Sequence, residues 1–496
     1  MKNSRKVTEM HKLCRWALFL GLSACIIGLA GCGENKTIRE EAEVELQSNV
    51  AESRIDKFVS FGPDVQSAML EKQYWSELNF EEEKEIIIST EQILRINEKN
   101  REMLTTDSGI KMALQDIDEL IDTSFVKEMM AVYEVPEDPS TRFVNGKETT
   151  AQYWDELVKN SNENISADMV PVRFGFCVER TMVKALPTND FIGEAADDFH
   201  YDVNVRAECP AYAPVAVFHE SLDGDWYYVV CDSYGGWVCK EKIALCESRD
   251  EWILRQNPTD FLVVTGRELR LVSDPYNEES SELLLSMGTI LPLVSLEYAP
   301  DDFNGRKSYG CYIVRVPIRD DKGMIADNYV LIPTSEDVSL GYLQYTVENV
   351  LDLLFKRVGD RYGWAGMYYA NDCSGMVREV FACFGFHFPR SAKAQVHMSG
   401  MTYKDVSNKS EKEKMKILSD VPAGTLLYFP GHIMVYLGTV NEIPYVISAV
   451  GSWITLECEE TEVVRVNLVA INSMTGTFRR NGYSWLANIT DILVCE

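Results

Sequence analysis

The sequence lacks the features that identify several classes of protein. Its 496 residues contain no C-x-x-C pair and no H-E-x-x-H motif, so the spacing gives no support for a zinc site, and we expect neither a metal nor a cofactor. Basic residues are scarce: 48 Lys and Arg stand against 77 Asp and Glu, which gives a net charge of −29. Because a nucleic-acid-binding surface needs a basic footprint, the sequence predicts no nucleic-acid partner.

The apolar run at the N-terminus is too short for a comfortable transmembrane helix. It covers 16–29 behind a basic leader, which is typical of a signal-peptide core. Small residues lead from it directly into Cys32 and resemble the lipobox of bacterial lipoproteins. The resemblance predicts a signal peptide over 1–31, a charged tether over 32–50, and a protein of the cell envelope held extracytoplasmically on a membrane by lipid at Cys32. The alternative is an ordinary secretory signal.

A complete disulfide framework is not expected. Thirteen cysteines leave ten once Cys14 and Cys25 of the leader and the lipidation candidate Cys32 are set aside. If one of the ten is a reactive thiolate, nine remain, an odd number that cannot all pair.

The composition divides the rest of the chain into regions. Over 51–171 it is rich in helix-forming residues, above all at 81–101 and 108–133, and predicts a helical N-terminal module with a structural role. From 172 onward, short β-rich runs alternate with turn signals. The run D-G-D-W-Y-Y-V-V followed by G-G-W-V resembles the bacterial SH3 fold of cell-wall proteins. We expect one such domain over 172–246 and a variant one over 255–335.

The candidate catalytic residues lie in the last third of the sequence. Apolar residues after Cys373 recur at helical spacing, so Cys373 falls in the first turn of a predicted helix. Unpaired backbone N–H groups and the helix dipole there favour a thiolate and can receive an oxyanion. A proton acceptor must approach in space, and the candidate is His432, which opens an alternating strand after Pro430-Gly431. A second amphipathic helix is predicted over 346–358 with Thr346 as its N-cap.

Four motifs occur in order around these residues: Y-G-W-A-G, N-D-C-S-G, F-G-F-H-F-P-R-S-A-K-A-Q and P-G-H-I-M-V-Y-L-G. Together they resemble the catalytic domain of the NlpC-type, papain-like cysteine peptidases, which cut bacterial cell-wall peptides. The resemblance implies a papain-like α+β catalytic domain over 340–496. The chain is thereby predicted to be a multi-domain α+β protein with a helical N-terminal module, two small SH3-like β-barrels and this catalytic domain.

The resemblance also implies roles for individual residues. Cys373 would be the nucleophile and His432 the general base. Many members orient that base with a second His, and in this sequence Ser448 stands in the corresponding place. A hydroxyl can accept the imidazole N–H but stabilises the imidazolium less than a carboxylate does.

Three further residues would bind substrate. Tyr362 would line the oxyanion region, Asp372 would receive the free amine of an N-terminal L-Ala, and Ser374 would hydrogen-bond near it. Asp372 can serve as an N-cap as well, whereas Trp364 and Arg390 are interpreted as packing and loop-fixing residues.

The function implied is a lipid-anchored cysteine endopeptidase. It would hydrolyse the γ-D-glutamyl-diamino-acid bond of peptidoglycan stem peptides or muropeptides that begin with a free L-Ala, through a thioester. Two alternatives stay open. One is a papain-like amidase or acyl transferase acting on another bond. The other is a wall-binding lipoprotein with an inactive peptidase domain.

Overall fold

The computed structural model describes most of the chain from residue 58 onward: residues 58–79, 85–108, 110, 112–232, 234–300, 302–457 and 460–496. Phe61–Glu496 form one compact unit, and of the other unit, Met1–Ser60, only the last three residues are described. The predicted signal peptide, tether and lipid site at Cys32 therefore lie outside the described residues. Within the part of the chain that is described, no helix combines the length and the apolar character needed to cross a bilayer.

Short helices and strands make up the N-terminal region. The helices are α1 (Lys72–Leu78), α2 (Thr90–Asn100), α3 (Thr123–Met130) and α4 (Ala151–Asn160), with 3-10 turns at Ser67–Leu70, Arg101–Ser108, Leu114–Asp116 and Pro139–Thr141. The strands are β1 (Leu120–Asp122), β2 (Phe143–Val144), β3 (Lys147–Glu148) and β4 (Met169–Pro171).

Two of these helices are shorter than the sequence pattern predicts. Within 81–101 the α-helix begins only at Thr90, where Ser89 and Gln92 form a capping box. Within 108–133 the α-helix begins at Thr123, because the preceding residues form β1 and pair with β4. The helix propensity of the local sequence gives no sign of this strand pairing, because the pairing joins segments about 50 residues apart.

The region predicted as one helical module over 51–171 divides between two cores. Met69, Trp75 and Ile93 are buried in the same cluster as the residues around Cys373. Ile110 and Val126 instead pack with residues of the first β-rich region. The N-terminal region therefore joins two neighbouring domains to each other.

The first β domain (172–246) contains a seven-stranded antiparallel sheet in the order β12-β5-β9-β10-β11-β6-β8. Its strands are β5 (Arg173–Cys177), β6 (Thr181–Lys184), β8 (Val205–Cys209), β9 (Pro214–Glu220), β10 (Trp226–Val230), β11 (Gly235–Cys239) and β12 (Ile243–Leu245), while β7 (Ile192–Gly193) pairs with β2. Alternation in β10 places Tyr228 against the N-terminal region and Val229 in a separate core of the domain.

Helix α5 (Arg249–Gln256) leads into the second β domain, which holds three small antiparallel sheets. Its strands are β13 (Phe261–Val264), β14 (Glu268–Arg270), β15 (Leu284–Ser286), β16 (Ile290–Pro292), β17 (Cys311–Arg319), β18 (Ile325–Pro333) and β19 (Val338–Leu340). Because Leu340 pairs with Leu262, the domain extends to residue 340. The predicted boundary at 335 is therefore too early.

The C-terminal domain (341–496) packs helices against a six-stranded antiparallel sheet in the order β20-β25-β21-β22-β23-β24. The helices are α6 (Val347–Phe355), α7 (Cys373–Ala382), α8 (Ala392–Gln395), α9 (Glu411–Leu418) and α10 (Trp485–Asn488). The strands are β20 (Thr402–Asp405), β21 (Leu426–Phe429), β22 (His432–Val440), β23 (Ile443–Glu457), β24 (Glu460–Ser473) and β25 (Asp491–Val494). Thr346 caps α6, as the sequence predicts.

Candidate active site

Cys373 is the first residue of α7, and its side chain is buried. The helix begins here because Asp372 is its N-cap: the Asp372 carboxylate accepts a hydrogen bond from the Gly375 backbone N–H at 2.9 Å. The apolar face of α7 packs in the core of the C-terminal domain. The predicted placement of Cys373 at a helix N-terminus agrees with the structure.

Strand β22 brings His432 to the nucleophile. The chain turns at Gly431, which has a φ of 93°, and His432 then pairs with Phe429 on β21. The next backbone N–H, that of Ile433, lies close enough to the Cys373 sulfur to lower the pKa of its thiol. The start of β22 is thus placed beside Cys373.

The imidazole of His432 is enclosed on several sides. Its Nε2 lies 3.0 Å from Ser448 Oγ, which is fully buried on β23. The ring packs between Phe429, at 5.5 Å, and the edge of Trp485, at 5.1 Å between centroids. Ser448 therefore lies where an orienting residue is needed, and Trp485 shields the same ring.

Both reacting groups are neutral near pH 7. Burial, together with the Asp372 charge, raises the pKa of the Cys373 thiol to about 12. Burial, together with the Arg479 charge, lowers the pKa of His432 to about 4. The Ser374 N–H at the start of α7 lowers the pKa of the thiol, in the expected direction, but burial outweighs it in this state. A nucleophilic role for the Cys373 sulfur would therefore need a base, such as His432, to accept the thiol proton.

Tyr362 lies beside the nucleophile. Its backbone N–H donates to the Asn467 carbonyl at 2.9 Å, and the Gly363 N–H donates to the Asn371 carbonyl at 3.0 Å. Burial and the nearby Asp372 and Cys373 charges raise the pKa of its hydroxyl, which stays protonated as a donor. This position is compatible with the predicted place of Tyr362 at the oxyanion region.

Asp372 and Ser374 belong to a buried network centred on Arg390. The guanidinium donates to both oxygens of Asp372, at 3.0 and 2.6 Å, and to Ser374 Oγ at 2.7 Å. The second Asp372 oxygen also accepts the Ala365 N–H at 3.1 Å. Burial alone would raise the pKa of Asp372, but the Arg390 charge outweighs burial and lowers this pKa. With its carboxylate so fully engaged, the contact of Asp372 with a substrate amine stays a prediction.

Comparison with known families bears directly on this geometry. Residues 359–457, which contain the Cys373 and His432 positions, match the model of the NlpC/P60 family. Because of this similarity, we refer to the C-terminal domain that contains them as the NlpC/P60 domain. Residues 191–239 match the SH3 domain of the SH3b1 type and lie within the first β domain. The NlpC/P60 match supports a cysteine peptidase of the cell wall in general terms, and none of the curated proteins matches the sequence.

Solved structures of NlpC/P60 proteins resemble the fold. A novel NlpC/P60 endopeptidase from Photobacterium damselae subsp. piscicida aligns with a TM-score of 0.65 at 19% identity, covering 88% of this chain and 98% of that one. An NlpC/P60 family protein from Bacillus cereus aligns with a TM-score of 0.37 at 17% identity, covering 58% and 81%. The first alignment shows that the described domains are arranged on a shared fold.

A loop of the first β domain reaches the NlpC/P60 domain beside the site. We call residues 197–201 the strap. Asp198 Oδ2 accepts from Arg465 at 3.0 Å, and His200 Nδ1 lies 3.3 Å from the Asn467 amide nitrogen. These contacts tie the strap to β24.

The strap is also tied to the loop that follows Tyr362. The Phe199 carbonyl accepts the Tyr368 hydroxyl, and the rings of Tyr201 and Trp364 are 5.7 Å apart. A Cβ at Gly451 would lie 2.7 Å from the Tyr201 hydroxyl, so this glycine leaves the room that Tyr201 occupies. Trp364 is interpreted from sequence as a packing residue, and it packs here against the strap while staying 42% exposed.

Sequence reasoning missed the residues that the β domains contribute. Arg180 is buried, and its guanidinium donates to the carbonyls of Ala370 at 2.7 Å and Gly366 at 3.2 Å, and to Ser286 of the second β domain at 3.0 Å. Glu208 of the first β domain accepts from Arg390 at 3.1 Å. Neither residue stands in a motif around Cys373, and only the domain packing reveals them.

Proposed function

We propose that the protein is a lipid-anchored cysteine endopeptidase of peptidoglycan stem peptides. It hydrolyses the γ-D-glutamyl-diamino-acid bond of peptides that begin with a free L-Ala. The observation that carries the proposal is the placement of Cys373 at the N-terminus of α7, beside the start of β22, which carries His432. The anchoring part rests on the lipobox-like sequence ending at Cys32.

The chemistry follows from the two neutral groups. His432 accepts the thiol proton as the Cys373 sulfur attacks the γ-carbonyl of D-Glu, and the first backbone N–H groups of α7 receive the oxyanion. Because the pKa of His432 is about 4, its protonated form is more acidic than an ordinary imidazolium and readily protonates the leaving amine. The product is a thioester at Cys373. Water, deprotonated by His432, then hydrolyses that thioester.

The strap supports the preference for short, unblocked peptides. It contacts β24 on one side and the Trp364–Tyr369 turn on the other, and Tyr362 lies between these two contacts. A polymer continuing past L-Ala would meet the strap there. A peptide that ends at L-Ala would fit, which favours soluble stem peptides over intact wall.

One observation favours a second candidate, a wall-binding lipoprotein without turnover. The polar partner of His432 is the neutral Ser448 hydroxyl, at 3.0 Å, which stabilises an imidazolium less than a carboxylate does. In that case the SH3-type domain would supply the binding. Direct measurement of turnover separates the two candidates.

The test uses the full-length chain in detergent under reducing conditions. Synthetic L-Ala-γ-D-Glu peptides ending in diaminopimelate or lysine are incubated with it, and release of L-Ala-γ-D-Glu is followed by mass spectrometry. Cys373→Ala is compared with Cys383→Ala, a matched control at the other end of α7. An N-acetylated peptide is run in parallel.

Release that needs Cys373 but not Cys383, with the acetylated peptide left uncut, supports the proposal in full. Cleavage of both peptides would keep the peptidase and remove the free-amine requirement. If no stem peptide is cut while the chain binds peptidoglycan, the wall-binding candidate takes its place.

A further inference from the structure

The first β domain places a carboxylate inside the NlpC/P60 domain. Glu208 is the fourth residue of β8, and it is 5% exposed. Its Oε2 accepts the Arg390 Nε–H at 3.1 Å, and its Oε1 lies 3.8 Å from Arg378. The contact crosses from one domain to another and is buried on both sides, since Arg390 is 6% exposed.

Arg390 is held along two edges of its guanidinium plane. The Nε edge faces Glu208, and the two Nη atoms face Asp372 and Ser374. Because the guanidinium is planar and rigid, fixing the Nε edge also fixes the direction of the Nη donors. The Asp372 carboxylate, in turn, caps the first turn of α7 at Gly375.

The surrounding loop leaves room for this carboxylate. Gly366 has a φ of 94°, and a Cβ there would lie 2.5 Å from Glu208 Oε2. Any side chain at this position would push the carboxylate away from Arg390. The loop between Tyr362 and the nucleophile, β8 and the start of α7 thus meet at one buried point.

We propose that Glu208 is a positioning residue for the nucleophile: acting through Arg390, it holds Asp372 in place as the cap of the helix that begins with Cys373. The first β domain then completes the active site in addition to carrying the strap. The kinetic part of this inference rests on the proposed peptidase function, whereas its structural part does not.

The structural test is hydrogen exchange of the full-length chain, read by mass spectrometry. Glu208→Gln keeps the size of the side chain and removes its charge. We expect exchange in the first turn of α7 to accelerate about tenfold in this variant, while β10 keeps its protection. Glu220→Gln is the matched control, because Glu220 lies on β9 of the same domain and pairs with Lys240 at 2.6 Å. It should leave α7 unchanged.

The kinetic test uses the same variants on the L-Ala-γ-D-Glu-diamino-acid peptide. Glu208→Gln should lower kcat about tenfold with KM within twofold, and Glu208→Asp, which keeps the charge, should recover most of the loss. Since Glu208 acts through Arg390, adding Glu208→Gln to Arg390→Lys should lower kcat less than twofold further.

The outcomes are separable. Unchanged exchange in α7 of Glu208→Gln, or an equal effect of Glu220→Gln, overturns the inference even when the peptide is cut. If the natural chain cuts no peptide, the proposed function fails, and the exchange result still decides the role of Glu208. Should Glu208→Gln not fold, the exchange test uses Glu208→Asp and Arg390→Lys. We expect faster exchange in the first turn of α7 in Arg390→Lys and unchanged exchange in Glu208→Asp. Unchanged exchange in both variants overturns the inference.

Discussion

At the scale of single residues, the polar partner of His432 limits how far the imidazolium is stabilised. The Ser448 hydroxyl is neutral, so it can orient the ring through Nε2 but adds no charge to balance a proton. A carboxylate in its place would raise the pKa of His432, whereas burial beside Phe429 and Trp485 lowers it. The surroundings of His432 therefore favour its neutral imidazole over the imidazolium.

Replacing Ser448 by Ala should lower kcat about tenfold and leave KM within twofold. The imidazole then loses its orienting partner at Nε2, and fewer molecules hold the productive ring position. Steady-state kinetics on the stem peptide check this. Ser452→Ala, at an exposed position of the same strand, is the control. If kcat of Ser448→Ala equals that of the control, the orienting residue lies elsewhere.

His432 should also make stability depend on pH. Its pKa is about 4 in the folded chain, below the ordinary value of 6.5, so the unfolded chain binds more protons between these two pH values. The contribution is fully present above pH 6.5 and is lost as the pH falls toward 4. We expect the free energy of unfolding to fall by about 2 kcal/mol more over this range in the natural chain than in His432→Gln.

Urea unfolding at pH 7, 5.5 and 4 measures this difference. His397→Gln, at an exposed histidine of the same domain, should follow the natural chain. Equal pH dependence of the natural chain and His432→Gln would mean that the imidazole is solvated rather than buried.

At the scale of elements, the sequence predicts what is determined locally. Thr346 and Asp372 cap helices through their own side chains, and the apolar run after His432 forms β22, which is buried on both faces rather than alternating as predicted. These signals lie within a few residues of the structure they form. They are enough to place Cys373 and His432 on the correct elements, with Ser448 on the neighbouring strand.

Elements that depend on distant pairing are not predictable in this way. Strand β1 exists because of β4, and β19 extends the second β domain because it pairs with β13. Trp485 reaches the His432 ring from a one-turn helix near the C-terminus that has no motif of its own. The raised thiol pKa has the same origin, since burial is a property of the assembled core and not of the helix that carries Cys373.

The strap predicts a change in substrate choice. Tyr201→Ala removes the ring that lies between Trp364 and Gly451, and it loosens the contact of the strap with the loop that follows Tyr362. We expect measurable cleavage of the N-acetylated peptide and a several-fold higher KM for the free peptide. Tyr309→Ala, at an 88% exposed tyrosine of the second β domain, should change neither value. A blocked peptide that stays uncut, with unchanged KM, would show that the strap does not select the substrate.

At the scale of the whole molecule, the N-terminal region contributes to the apolar core that contains Cys373. Trp75 is fully buried, donates to the Met69 carbonyl at 2.8 Å and packs on Tyr445 at 5.7 Å between centroids. Trp75→Ala should therefore destabilise the C-terminal domain by about 3–5 kcal/mol. Denaturant unfolding checks the value, with Leu94→Ala as the exposed control on α2. A loss below 1 kcal/mol would mean that the two regions are energetically independent.

The hydrogen bond from the Tyr445 hydroxyl to the Asp64 carbonyl, 2.9 Å long, joins residues 381 positions apart. Contacts of such high sequence separation raise the contact order and slow folding, because a long loop must close before they form. During synthesis the segment around Asp64 emerges early and has to wait for its partner strand to leave the ribosome. A chain released before residue 445 lacks that partner and cannot finish the core around Cys373. Incomplete translation products that end before residue 445 would consequently lack part of the core that surrounds Cys373.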